Sequence, residues 1–188
     1  MVIREKALIR EMKEAYKKKG YTVAAQESGK TIICTEDWIV RVDDAEVPRE
    51  ALALMALHMG FLPEDGEAYV VQKGDKQPIV QEEDFEEAVA FFKSIQLVRI
   101  SQEKPKLAGK TPLIYGARNV WQMEEGQEIL LVHPNYEHIL YRRDEVQRVG
   151  EALYIGDDVS EVVVVCDNRY APEDIREHLA EMKWKKLT

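Results

Sequence analysis

The sequence predicts an α+β fold, mainly antiparallel sheet packed with a buried central helix and flanked by amphipathic helices. Three observations carry this. Ala51 to Met59 is apolar at almost every position, with no polar face at helical spacing, and a helix apolar all round is one buried on all sides. Short β-type runs follow one another closely through short turns, so neighbours pair antiparallel. Two further stretches, residues 3–19 and 82–95, carry apolar stripes at helical spacing.

The first helix, residues 3–19, turns Leu8, Met12, Ala15 and Tyr16 to one side and is closed by Gly20. Lys13, Lys17, Lys18 and Lys19 bias positive charge to its C-terminal end, which complements the helix dipole. Strands are expected at 21–26, 31–35 and 38–42, with Ser28-Gly29 as a turn signal between the first two. The apolar helix comes next. Pro48 suits its start and Gly60 the left-handed position beyond its end. At roughly a dozen residues it is short of the about 20 that span a bilayer, so it reads as a core helix with Leu54 and Leu57 both buried. Residues 62–66 turn the chain into a strand at 68–72, with a hairpin arm at 78–80. In the helix at 82–95, Phe85, Ala88, Val89 and Phe92 make the inward stripe.

Residues 102–112 are rich in Lys, Pro and Gly and read as a linker or long loop. This divides the chain into an N-terminal α+β module, 1–101, and a strand-rich α+β module, 113–188, closed by a helix at 172–186. Strands in the second module are expected at 113–115, 119–123, 128–132, 152–155 and 161–166. Residues 134–149 fit a helical face and equally a hairpin around Gly150-Glu151; a helix from 134 to 141 is the favoured assignment.

A chain of 188 residues buries about 70% of its unfolded surface, so it needs no disulfide or metal staple. Its formal net charge of −9 argues against general nucleic-acid affinity, which requires a basic surface. The two cysteines, Cys34 and Cys166, sit in apolar strand-like runs as small buried hydrophobes, unpaired in a reducing compartment. The N-terminus has no uninterrupted apolar run of the signal-peptide kind, and the expected location is cytoplasmic, without membrane association.

Few residues carry chemistry. Gly-Lys-Thr occurs at 29–31 and 109–111, but a phosphate loop needs an earlier glycine where Ala24 and Lys104 stand, and a helix afterwards. The acids at 82–84 open a helix, where they offset its dipole by about 0.3–1 kcal/mol. Asp43-Asp44 reads as loop polarity. His133 and His138 are five apart, not the four of a helical metal pair. His58 reads as a core or edge histidine with one hydrogen bond, and His178 is a helix residue; no metal and no cofactor is expected. The best-placed group is Cys166, Asp167, Asn168, Arg169 and Tyr170, between an apolar strand and a helix N-terminus, where α/β folds place ligands. There a thiolate at Cys166 could be activated by the helix or by Arg169. The plainer reading is a strand end, a turn and a helix start.

The segment EVPREALALMALHMGFLPEDGEAYVV, with KEAYKKKGYTV and WIVRV before it, resembles a family of short bacterial proteins of no assigned function. The resemblance covers roughly the first 75 residues, in core and turn positions. It implies a bacterial or phage-associated accessory protein and transfers no site.

Residues 36–87 hold fifteen acids against four bases, while the first helix is net positive. The expected function is therefore a non-enzymatic binding protein that meets another protein through its acidic middle face. The two charged regions also allow a homo-oligomer by head-to-tail contact. The alternatives are a small hydrolase-like enzyme with its site at residues 166–170, and an acidic mimic of nucleic acid.

Overall fold

The computed structural model describes residues 1–26, 28–75, 78–80, 104–113, 116–123, 128–167, 176, 177 and 179. The expected helix at 82–95 and most of that at 172–186 lie outside these residues; 176, 177 and 179 are helical, with Leu179 buried.

The fold is α+β. Helix α1 (Glu5–Lys18) leads into strands β1 (Tyr21–Gln26), β2 (Lys30–Cys34) and β3 (Trp38–Asp43). Helix α2 (Arg49–Met59) follows a short 3-10 turn, then β4 (Ala68–Val71) and a two-residue strand β5 (Ile79–Val80). Strands β6 (Lys106–Leu113), β7 (Gly116–Gln122) and β8 (Ile129–Val132) form a separate three-stranded sheet. A one-turn helix α3 (Pro134–Glu137) and a second 3-10 turn precede β9 (Gln147–Val149), β10 (Ala152–Gly156) and β11 (Ser160–Val165).

The main sheet is antiparallel throughout, in the order β5-β4-β1-β2-β3-β11-β10-β9. Its centre joins strands from opposite ends of the chain: β3 pairs β11 with Val40 opposite Val162 and Arg41 opposite Glu161. Strand alternation separates two apolar faces. Tyr21, Val23, Ile33, Trp38, Val40, Leu153, Ile155, Val162 and Val164 point into the principal core with Leu8, Met12 and Met55 of the helices. Ala24, Ile32, Cys34, Ala152, Tyr154 and Val163 point the other way and are also buried. A sheet buried on both faces explains why runs such as 32–34 and 162–165 are continuously apolar rather than alternating. In the small sheet, Trp121, Leu130 and Val132 join the principal core, while Val120, Ile129 and Leu131 pack with Leu179.

The centre of the core is thus the sheet, and the expected buried central helix is corrected. Helix α2 lies against one face with Ala51, Leu54, Met55 and Met59 inward. Leu54 is 8% exposed, as expected, but Leu57 is 76% exposed. An all-apolar helix can be covered on every side; its sequence does not say that this chain supplies the cover. Pro48 does precede the first turn, and Gly60 closes the helix at φ +85°.

Residues 106–112, expected within a linker or loop, belong to strand β6. Lys, Pro and Gly read as loop, yet β6 is an edge strand, where a proline is tolerated. Leu107 and Ala108 supply its packing and β7 its pairing. One sheet and one core contain residues from both sides of that segment. Both assignments for 134–149 are partly right. The helix ends at Glu137, not 141, because the chain turns at His138 and Leu140 bridges Ile3; residues 147–156 make the hairpin.

Candidate functional site

Of the residues singled out at the end of β11, Asn168, Arg169 and Tyr170 lie outside the described residues. Cys166 is buried, and burial, with Glu151 nearby, pushes its thiol up to about 12. It stays protonated at neutral pH and is a poor nucleophile. Neither Cys166 nor Cys34 is in a disulfide.

Asp167 joins a polar cluster. Its carboxylate pairs with Arg118 of β7 (Nε to Oδ2, 2.8 Å), and its backbone N–H donates to the Leu131 carbonyl at 2.6 Å. Close by, Tyr136 of α3 hydrogen-bonds the Asp37 carboxylate, which burial raises above the usual carboxylate range. His133 lies tilted over Tyr136, ring centroids 4.7 Å apart, and caps α3 by accepting the Asn135 N–H. Burial and the Arg118 charge hold His133 below its ordinary pKa.

Beneath lies the fully buried carboxylate of Glu137. It accepts from the Asn119 amide and from Trp121 Nε1 (3.2 Å), and Arg143 Nε stands 3.1 Å from its other oxygen. These groups answer one another: Arg118 neutralises Asp167, Tyr136 donates to Asp37, and Arg143 offsets Glu137. Such an arrangement ties α3 to the small sheet and to the β3–β11 junction. Among the described residues no group of three His, Cys, Asp or Glu side chains could hold a metal ion.

The Gly-Lys-Thr at 29–31 is a hairpin turn with Gly29 at φ +72° and Lys30 paired to Asp43. Asp44 accepts from the Thr31 hydroxyl at 2.6 Å, so the Asp43-Asp44 pair fastens this hairpin.

A second place has the opposite character. Along α2 the exposed positions are Arg49, Glu50, Ala53, Ala56 and Leu57, followed by Gly60. Their spacing is that of one helical face. The face continues into Phe61 and Leu62, 41% and 45% exposed, and Phe61 packs edge-on against Tyr69 (4.9 Å between centroids). Glu64 and Asp65 follow, both exposed. On the inner side His58 fastens the helix. Its ring stacks on Tyr16 of α1 at 3.7 Å, nearly parallel, and its Nδ1 lies 2.9 Å from the Tyr21 hydroxyl of β1. Lys13 of α1 also reaches Glu50 at 3.2 Å. The outer face is therefore presented on a helix held at both ends.

Fold and site together define an α+β protein with a cluster of paired charged groups and a helix, α2, whose outer face exposes Leu57. No protein-family model, no curated protein and no solved structure matches the chain. The cluster was not visible in sequence because Asp37, Arg118, His133, Tyr136 and Asp167 come from separate segments. The α2 face had a signal, the missing polar side of residues 51–59, which reads as core until the fold is known.

Proposed function

We propose that this is a non-enzymatic binding protein that docks another protein on the outer face of α2. The observation that carries the reading is the exposure of Leu57 on α2 and of Phe61 and Leu62 just beyond its end. Clustered exposed apolar side chains with a polar rim are the signature of an interaction surface. Glu64 and Asp65 give this rim negative charge, in keeping with contact through the acidic middle of the chain. The burial of the Cys166 thiol and the pairing of Asp167 favour this reading over a hydrolase. A mimic of nucleic acid calls for unanswered carboxylates in a row, whereas Asp43 and Glu161 are paired to Lys30 and Arg41. We place the protein in a bacterial or phage-infected cytoplasm.

The test compares wild type, Leu57→Glu and Tyr141→Ser as immobilised baits in an extract of the native host. Tyr141 is exposed and lies outside the α2 face. A discrete partner retained by wild type and Tyr141→Ser but lost by Leu57→Glu is the expected result. Retention by all three, or substrate turnover by the purified chain, would overturn the reading.

A further inference from the structure

The segment that follows α3 is seamed to the first residues of the chain. The Arg4 N–H donates to the Ile139 carbonyl at 2.9 Å, and the Tyr141 N–H donates to the Val2 carbonyl at 3.0 Å. Ile3 and Leu140 bridge between these two bonds, and both are buried. Beside the seam Arg143 makes two contacts. Its Nη2 lies 3.1 Å from His138 Nδ1, and its Nε lies 3.1 Å from Glu137 Oε1. A guanidinium only donates, so the first contact requires a lone pair on Nδ1. His138 is then a neutral imidazole with its proton on Nε2. We infer that His138 is a pH-sensitive latch: its neutral ring holds Arg143 on Glu137, and its protonation frees residues 138–143 from residues 2–4.

Protonation turns Nδ1 from an acceptor into a donor and sets an imidazolium against the guanidinium. The other charges that face His138 are Arg4 and Arg10, from the start of the chain and α1, and Glu137 beside it. The two arginines add to the repulsion, although Glu11 answers Arg10 in part at 2.8 Å. Glu137 alone favours the imidazolium, and its carboxylate is already engaged by Arg143, Asn119 and Trp121. If Arg143 is driven off, Glu137 is left fully buried without its cation, which is unfavourable until water reaches it. Opening of the segment that follows Glu137 admits that water. Burial and the Arg143 charge hold His138 below its ordinary 6.5 in the closed form, so the open form takes up the proton first. The latch is therefore fully closed above that value and loosens as pH falls below it.

Amide hydrogen exchange of the full chain at pH 7.5 and 5.5, corrected for the intrinsic rate, tests this. The Arg4 and Tyr141 amides report the seam. In wild type their protection should fall severalfold at the lower pH, with a ceiling of about tenfold for one proton taken up one unit below 6.5. His138→Gln keeps an uncharged acceptor for Arg143, so its seam protection should agree within about twofold at the two pH values. Nitrogen NMR shifts of His138 in wild type at pH 7.5 should place the proton on Nε2. Unchanged wild-type protection overturns the inference, as does an equal loss in His138→Gln or a proton on Nδ1. Should His138→Gln fail to fold, wild-type exchange and the wild-type tautomer decide between them.

Discussion

Truncating Leu54 and Leu57 to alanine, one at a time, separates the two sides of α2. The residues are three apart on one helix and chemically identical, so intrinsic helix propensity changes equally. Each substitution removes three carbons. At about 0.8 kcal/mol per buried methylene, Leu54, 8% exposed, loses about 2–3 kcal/mol of transfer free energy. The cavity it leaves in the principal core brings the total to about 2.7–5 kcal/mol. Leu57, 76% exposed, leaves no cavity, and its truncation should stay within about 0.5 kcal/mol. Urea unfolding followed by tryptophan fluorescence gives both values. Equal losses of several kcal/mol would mean that α2 is enclosed on all sides and that the exposed face does not exist.

Replacing Glu137 by leucine strands the Asn119 amide and Trp121 Nε1 without an acceptor; at about 1–3 kcal/mol for each unsatisfied group, unfolding free energy should fall by about 3 kcal/mol or more, and Glu137→Gln should recover part of it. Gly20→Ala should destabilise by more than about 1 kcal/mol, because Gly20 has φ +86° and a Cβ there would lie 2.8 Å from the Val71 carbonyl oxygen; an unchanged urea midpoint would contradict the close approach of Gly20 to the end of β4. The Cys166 thiol should resist a thiol reagent at pH 8 in the native protein and react at once in denaturant, as mass spectrometry of the Cys166 peptide would report; fast native labelling would reinstate it as a nucleophile. Burial lowers His58, His133 and His138 below their ordinary 6.5, so the unfolded chain takes up their protons first. Stability from these three is complete above that value and declines as pH falls from about 6.5 towards the lowered folded values, while the raised Asp37 acts in the opposite sense at lower pH. A urea midpoint that rises between pH 7.5 and 5.5 would contradict this.

What the sequence makes legible is local. The boundaries of β1, the first helix, the turn at Gly29 and the left-handed stop at Gly60 follow from residues that are neighbours in the chain. The continuous apolar runs at 32–34 and 162–165 announce buried strands, but nothing in either says that β3 and β11 pair. That non-local pairing is what brings Asp37 and Asp167 to one junction, and with them Tyr136 and Arg118. Residues 106–112 mislead because Lys, Pro and Gly read as loop, whereas an edge strand tolerates them. Leu57 misleads for the opposite reason: apolarity states what a residue tolerates, and exposure depends on what the rest of the chain places over it. Of the predicted site, Asp167 enters a cluster, whereas Cys166 is sealed beneath it by the same apolar surroundings that made its strand recognisable.

The central claim, that the outer face of α2 is a contact surface, is tested most directly by a photo-crosslinking residue placed at position 57 and, in a second protein, at position 141. Both sites are exposed. Illumination in native host cells should yield one discrete crosslinked species from position 57 and none from position 141. Absence of any product from position 57, or the same product from both, would contradict it.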